Sequence, residues 1–210
     1  ALTGALAGRS VLVRADQPRR AQAVLAALPG VSVEQPGHPI AAYLELHIEQ
    51  GPVLEREGIA IGAVTGIQGT RWYDVTFRGA AAHAGTTPLA FRRDPMAAAS
   101  AALAALFATI MPGDEDVRLT VGRIAASPGS INAVPAEVRF SVDLRHPTLR
   151  GLAGHEARLR TVLAEAARGH GCTVAVEPLM EMVPVAFPEG MVELVEEGAS
   201  QAGASYRRTL

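Results

Sequence analysis

The sequence predicts an α/β protein of the α+β type, in which a ferredoxin-like two-layer domain is inserted into an incomplete α/β domain. From about residue 70 to 180 the predicted elements run strand, helix, strand, strand, helix, strand, which is the split βαβ arrangement. That order gives an antiparallel sheet with both helices on one face. Residues 1–67 and 184–210 follow a different pattern, so we expect residues 68–183 to be an insertion between two pieces of another domain.

Local signals support each element of the inserted domain. Residues 70–78 alternate between two sets of side chains, which is the period of a strand with two different faces. Asp94 is a predicted N-cap, and Pro95 is the first residue of a helix that runs to about residue 111. We also expect strands at about 117–126 and 134–145, a second helix at about 149–168, and a last strand at 172–179.

The two flanking segments together hold about 95 residues, few for an independent core. Their expected elements are a short strand at 10–14, a helix at 18–28, a short strand at 31–35, a strand at 43–49, a helical turn at 53–57 ending at Gly58, a buried strand at 59–67 and a helix at 189–203.

Composition limits the classes of function. The chain has 210 residues, 49% hydrophobic residues and a net charge of −2, which describes a globular protein without the basic field of a nucleic-acid binder. All 19 basic residues are arginine, which excludes a lysine nucleophile or Schiff base. The single Cys172 excludes an intrachain disulfide and fits a reducing, cytoplasmic setting. The apolar stretch 96–111 is too short for a membrane span of about 20 residues.

The alternating stretch 43–49 is the first candidate for chemistry. Alternation places Glu45, His47 and Glu49 on one strand face. A neutral imidazole flanked by carboxylates suits a metal site, because the imidazole is a ligand and the acids orient it or neutralise the cation. The alternative is a solvated polar face that happens to contain a histidine.

Three further residues are candidates, each with a plainer alternative. His83 lies in a small-residue loop, residues 79–88, where a ligand can approach closely, but such a loop can also carry an incidental histidine. Asn132 lies in a polar loop between strands and could simply cap a turn. Arg145 ends an alternating strand and could bind a carboxylate bidentately, or be a strand-end charge that Asp143 neutralises.

Taken together, these residues resemble the hydantoinase/carbamoylase branch of the M20 metallohydrolases. That branch includes N-carbamoyl-L-amino-acid amidohydrolases, β-ureidopropionases and allantoate amidohydrolases. The resemblance is carried by five blocks: Glu45 to Glu55, Gly66 to Gly69, His83 to Pro88 with Arg93-Asp94, Asn132, and Asp143 to Arg145.

The resemblance implies a catalytic domain that binds two divalent ions, zinc or manganese, and a lid domain, residues 68–183, that forms a homodimer. It implies that His47 is a metal ligand and that Gln50 contacts the substrate. His83 would reach from the partner's lid to the carbonyl oxygen under attack, and Asn132 and Arg145 would bind the substrate's carboxylate end. Strict alternation places Gln50 opposite His47, so its role requires the turn at residues 51–52 to rotate it.

The implied reaction is hydrolysis of the N-carbamoyl (ureido) C–N bond of a small acid. The family's other metal ligands and its glutamate general base have no match within residues 1–210. We therefore expect this chain to be an incomplete, inactive part of such an enzyme, with no tightly held metal at His47. The alternatives are an M20 aminopeptidase or deacylase, distinguished by activity on dipeptides, and a non-catalytic dimerisation module, distinguished by the absence of the remaining ligand motifs.

Overall fold

A computed structural model describes residues 42–210. The predicted strands at 10–14 and 31–35 and the predicted helix at 18–28 lie outside the described residues. Residues 42–48 belong to one compact unit and residues 49–210 to a second one, and each unit is described by itself.

Residues 49–210 fold into four α-helices, eleven strands and two 3₁₀ turns, and the predicted α/β class is confirmed. The helices are α1 (Val53–Glu57), α2 (Pro95–Thr109), α3 (Leu149–Gly169) and α4 (Glu189–Gln201), and the 3₁₀ turns are Leu89–Phe91 and Met111–Gly113. The strands are β1 (Ile61–Val64), β2 (Gly66–Ile67), β3 (Gly69–Arg78), β4 (Ala82–His83), β5 (Arg118–Thr120), β6 (Ile124–Ser127), β7 (Ala133–Val134), β8 (Glu137–His146), β9 (Thr173–Met182), β10 (Val185–Ala186) and β11 (Tyr206–Thr209).

The main sheet is antiparallel throughout and has the order β9-β3-β8, with β5 and β6 both pairing with β8 at the far edge. Strand β5 pairs with the C-terminal part of β8 and β6 with its N-terminal part, so together they form one edge strand. The sheet therefore has the strand order of the ferredoxin-like fold. The prediction of this fold is therefore confirmed, with the strand expected at 117–126 observed as two shorter ones.

Alternation in β3 and β8 separates the two faces of the sheet. The ladder pairs Tyr73 with Val142 and Val75 with Phe140, and these side chains point to the face that α2 and α3 cover. Phe140 stacks on Phe77 of the neighbouring strand, with 6.1 Å between ring centroids. The core between the sheet and the helices consists of Tyr73, Val75, Phe77, Ala98, Ala99, Ala102, Leu106, Ile110, Val117, Leu119, Val138, Phe140, Val142, Leu144, Leu152, Leu159, Leu163 and Ala167.

Helix α2 begins as its sequence predicts. The Asp94 carboxylate accepts the backbone N–H of Met96 at 2.9 Å, and Pro95 is the first helical residue. The stretch Pro95–Gly113 is long and apolar enough, by length and composition, to cross a membrane. Ala102 and Leu106 are fully buried in the core of the domain, whereas Phe107 and Met111 are exposed.

The flanking segments pair with each other. Strand β1 runs parallel to β11, with Ile61 opposite Tyr206, and β2 is antiparallel to β10. Helix α4 packs on β1 and β11, which confirms the helix expected at 189–203. The stretch expected as one buried strand at 59–67 is two short strands and only partly buried, and β11 was not predicted. The domain boundaries at residues 67 and 184 stay a prediction.

The predicted strand at 43–49 is wrong. Residues 42–49 adopt no regular secondary structure, and no described strand pairs with them. Leu46 is 96% exposed and Ile48 76% exposed. An alternating sequence becomes a strand only where a neighbour satisfies its backbone N–H and C=O groups. Since no strand among residues 42–210 pairs with this stretch, its alternation produces no strand, and Leu46 and Ile48 stay exposed.

Candidate functional site

The ladder between β4 and β7 brings two of the predicted site residues together. His83 lies opposite Ala133 in this ladder, and the N–H of Ala84 donates to the carbonyl of Asn132 at 3.0 Å. Gly79 makes the approach to β4 possible, since a Cβ there would lie 2.1 Å from the carbonyl oxygen of Arg93. His83 lies in β4 and Asn132 directly precedes β7, and both residues are exposed.

The hydrogen bonds of His83 determine its tautomer. Its Nδ1 accepts the backbone N–H groups of Gly85, at 3.1 Å, and Thr86, at 3.2 Å. A nitrogen that accepts two N–H groups carries no proton, so in the neutral ring the proton is on Nε2. Within residues 42–210, no hydrogen-bond partner occupies Nε2. His83 therefore presents an N–H donor, held in orientation by its own loop.

Asn132 is oriented in a similar way. The hydroxyl of Ser130 donates to its Oδ1 at 2.7 Å, which leaves the amide NH₂ group as the outward-facing donor. The residues of the β4–β7 ladder thus present two hydrogen-bond donors, a combination that suits a ligand oxygen.

Arg145 lies at the other end of the sheet. It is close to the C-terminal end of β8, whereas the β4–β7 ladder adjoins Glu137, the first residue of that strand. A strand rise of about 3.4 Å per residue puts about 27 Å between Arg145 and Glu137. The structure therefore does not bring Arg145 together with His83 and Asn132 in one copy of the chain.

Arg145 is paired with Asp143 on the same face of β8. Its Nε donates to Asp143 Oδ1 at 3.0 Å and its Nη2 to Oδ2 at 2.7 Å. The hydrogen bonds to Asp143 raise the pKa of Arg145 above its ordinary value, against the effect of partial burial. The pair matches the second alternative for Arg145, a strand-end charge that Asp143 neutralises. Among the described hydrogen bonds none uses Nη1 of Arg145, so this nitrogen can donate to a further acceptor.

Gln50 lies where the backbone changes direction. It has a φ of +55° and is the only described non-glycine residue with a positive φ. The change of direction thus begins at Gln50, one residue before the Gly51-Pro52 turn. The neighbouring Glu49 accepts the backbone N–H groups of Val53, at 2.9 Å, and Leu54 at the start of α1.

His47, in the unit that ends at residue 48, is exposed. Its Nδ1 donates to the carbonyl of Ile48 at 2.6 Å, because a carbonyl only accepts, and no described residue occupies the lone pair of Nε2. This is the usual orientation of a metal-binding histidine. Glu45 accepts the hydroxyl of Tyr43 at 3.1 Å. One imidazole fits a ligand role, but among the described residues no further donor completes a site around it.

A second cluster of ligating side chains was not predicted from the sequence. Asp114, His146 and His155 meet beside a shallow cleft of about 500 Å³. His146 ends an alternating strand and His155 lies on a helix, so their spacing gave no sign that they meet. Only the packing of α3 against the end of β8 shows it.

The comparison with known proteins decides the family. A model described as a peptidase dimerisation domain of the M20 group matches residues 65–171. The chain belongs to the M20 family. The match contains His83, Asn132 and Arg145, whereas His47 and Gln50 precede it.

Similar proteins place this M20 chain in the hydantoinase/carbamoylase branch. It is 36% identical over 168 residues to the N-carbamoyl-L-amino-acid amidohydrolase of Paenarthrobacter aurescens, covering 80% of this chain and 41% of that protein. It is 36% identical over 166 residues to the allantoate amidohydrolase of Bacillus subtilis, covering 79% and 40%. A hydantoinase/carbamoylase family amidase from Burkholderia multivorans has a similar structure, with a TM-score of 0.73, 40% identity, and coverage of 78% and 40%. The M20 chain thus spans about two fifths of the length of each.

Proposed function

We propose that this chain is part of a metal-dependent amidohydrolase that cleaves the N-carbamoyl (ureido) C–N bond of N-carbamoyl-L-amino acids or related ureido acids. Its relatives are amidohydrolases named for N-carbamoyl-L-amino acids and for allantoate. Both substrates pair a ureido carbonyl with a carboxylate, so the site needs a donor for a developing oxyanion and a cation for a fixed negative charge.

The observation that carries the proposal is the orientation of His83. Its Nδ1 accepts two backbone N–H groups, at 3.1 and 3.2 Å, so the neutral ring directs Nε2–H outward. When the ureido carbonyl becomes tetrahedral, negative charge grows on its oxygen, and a donor that is already aligned stabilises it without reorganisation. Asn132 offers its NH₂ group from the position just before β7, the strand that pairs with β4.

The site is proposed to be composite, built from two copies of the chain. The strand β8 spans about 27 Å between the β4–β7 ladder and Arg145, far more than the length of an N-carbamoyl amino acid. One substrate can therefore meet His83 and Asn132 of one protomer only together with Arg145 of the other. This proposal agrees with a homodimer formed through the lid domain. It also changes the role of Asn132, which the sequence interpretation placed with Arg145 at the substrate carboxylate and which is now proposed to act beside His83.

Arg145 is proposed to hold the substrate carboxylate. Nε and Nη2 are occupied by Asp143, which fixes the plane of the guanidinium group, and Nη1 is left for the substrate. Asp143 also reduces the net positive charge that the substrate meets. The carboxylate is charged throughout the reaction, so this contact contributes to binding in the ground state and the transition state alike.

His47 is proposed as one ligand of a divalent ion, zinc or manganese, in a site for two ions whose other ligands belong to the rest of the protein. A divalent ion there would supply Lewis-acid polarisation of the ureido carbonyl. Within this chain, the part of His47 is to offer Nε2, with Nδ1–H held by the carbonyl of Ile48. Gln50, turned by its positive φ, is proposed to contact the substrate. A cytoplasmic location stays a prediction.

The test uses the whole protein and three substrates: an N-carbamoyl-L-amino acid, allantoate and a dipeptide. We expect turnover of one or both ureido acids and none of the dipeptide. Replacing His83 by Ala should lower kcat by about 10²–10³ with little change in KM, the usual cost of one oxyanion donor. The control His170→Ala, at the C-terminal end of α3, should leave both constants unchanged.

Two results would overturn the proposal. Hydrolysis of the dipeptide alone would make the protein an aminopeptidase of the M20 family. A folded, metal-supplied protein that hydrolyses none of the three substrates would favour a dimerisation module without catalysis.

A further inference from the structure

Three ligating side chains converge from three separate elements of the lid domain. Asp114 follows the 3₁₀ turn after α2, His146 is the last residue of β8, and His155 lies on α3. Asp114 Oδ2 lies 2.9 Å from His155 Nε2 and 3.1 Å from His146 Nε2. All three ligand atoms lie within 4.8 Å of one another, the only such group among residues 42–210.

The surroundings of His146 hold its ring in place. The residue is only 7% exposed. Its ring lies directly on the first turn of α3, where a Cβ on Gly151 would be 2.0 Å from the ring carbon Cε1. Only glycine at that position leaves room for the imidazole. The ring is therefore fixed by packing, with Nε2 directed at Asp114.

Thr148 gives His146 partners for either neutral tautomer. The backbone N–H of Thr148 donates to Nδ1 at 2.9 Å, which favours a proton on Nε2 and a hydrogen bond to Asp114. The carbonyl oxygen and the hydroxyl of Thr148 both lie 3.2 Å from Nδ1 and can accept from it instead. In that second tautomer Nε2 has a free lone pair, and a histidine that binds a metal usually has its other nitrogen donating to such an acceptor.

Charge around the cluster also suits a cation with one open position. The Asp114 carboxylate supplies a negatively charged oxygen ligand, and its Oδ1 accepts the backbone N–H of Asp116 at 2.9 Å, which holds the side chain in place. Arg150 and Arg158 line the same cleft. Their positive charges oppose a bare cation and favour a water or an anionic group as its fourth ligand.

We propose that Asp114, His146 and His155 form a binding site for a divalent transition-metal ion, best suited to Zn²⁺, separate from the metal site proposed at His47. Two imidazoles and one carboxylate with an open fourth position are a zinc ligand set. With zinc–ligand distances of about 2.0–2.2 Å, neighbouring ligands of a tetrahedral ion lie about 3.3 Å apart. The two Asp–His separations are close to this value. The nitrogens of His146 and His155 lie within 4.8 Å of each other, so an ion would require the more exposed His155 ring to rotate towards His146.

A bound ion would link the end of α2, the end of β8 and the first turns of α3. Since the ion binds only the folded arrangement of these elements, it would raise the stability of the lid domain. The effect is independent of the proposed hydrolysis.

The test is titration of the metal-free 210-residue chain with zinc sulfate by isothermal calorimetry, with Co²⁺ absorption as a second probe. We expect one Zn²⁺ per chain at this site, a tetrahedral Co²⁺ spectrum, and a higher midpoint of thermal unfolding with zinc. His155→Ala and Asp114→Asn should weaken binding at least about 100-fold, since loss of a supporting hydrogen bond alone costs 10–100-fold. If His155→Ala fails to fold by circular dichroism, His155→Gln, which keeps a polar side chain, replaces it.

Two matched variants exclude other sites. His47→Ala should leave this binding unchanged, which separates it from the metal ligand in the proposed function. His170→Ala, beside Cys172, should also leave it unchanged. The proposal is overturned if wild type binds no zinc at millimolar concentration, if His47→Ala or His170→Ala abolishes binding, or if folded His155 and Asp114 variants bind as tightly as wild type.

Discussion

Replacing Gly151 by Ala probes the packing that holds His146 in place. A Cβ at this position would lie 2.0, 2.2 and 2.4 Å from three atoms of the His146 ring, so the ring has to move. That movement costs about 1–3 kcal/mol of overpacking. It also weakens the hydrogen bonds from Thr148 and to Asp114, at about 1 kcal/mol each. Better helix propensity returns up to about 1 kcal/mol.

The expected net loss is about 3 kcal/mol, which for a chain of this size lowers the midpoint of thermal unfolding by about 6–12 °C. Gly154→Ala is the matched control, because it lies in the same helix and its Cβ would meet no atom within 4 Å. At Gly154 the substitution changes only the helix propensity, so the control variant should be as stable as wild type or up to about 1 kcal/mol more stable. Thermal and urea unfolding measure both variants. Equal stability of the two would refute the inferred position of the His146 ring.

Two further predictions concern the core and the open face of the sheet. Phe140→Ala removes a fully buried ring stacked on Phe77 and should cost about 3–5 kcal/mol in urea unfolding, whereas Phe91→Ala, 78% exposed, should cost under about 0.5; equal losses would contradict the assigned core. Hydrogen bonds from Arg139 and Arg123 lower the pKa of the buried Asp74 below 3.8, against the effect of burial. The contribution of the Asp74 carboxylate to the stability of the folded state is therefore complete above pH 3.8 and is lost as the pH falls through the folded-state pKa. The stability gap between wild type and Asp74→Asn should therefore narrow from pH 7 to pH 3, and a constant gap would disprove the ion pair.

The elements that the sequence predicted correctly are those determined locally or by alternation. Asp94-Pro95 specifies the start of α2 through a side-chain cap and a fixed φ. The ten-residue strands β3 and β8 each have one apolar and one polar side-chain set, so their faces follow from the sequence alone. Once two such strands and two helices are in order, the ferredoxin-like topology follows.

The stretch 43–49 shows where this reasoning fails. Its alternation is as regular as that of β3, but a strand also needs a partner, and none of the described strands pairs with it. The same limit applies to the candidate sites. The β4–β7 ladder that joins His83 to Asn132 and the cluster around Asp114 depend on contacts between distant parts of the chain. The pairing of Arg145 with Asp143 is local, two residues apart, and was one of the two alternatives that the sequence offered.

The composite nature of the proposed site is tested most directly by a heterodimer of the whole protein that carries His83→Ala in one subunit and Arg145→Ala in the other. Two different affinity tags on co-expressed subunits allow the heterodimer to be purified, and its rate is measured on an N-carbamoyl-L-amino acid. Each parent homodimer should be nearly inactive. If His83 and Arg145 of different subunits serve one substrate, the heterodimer has one intact site of two and should recover about half of the wild-type rate. A heterodimer no more active than its parents would show that both residues act within one subunit or in different processes.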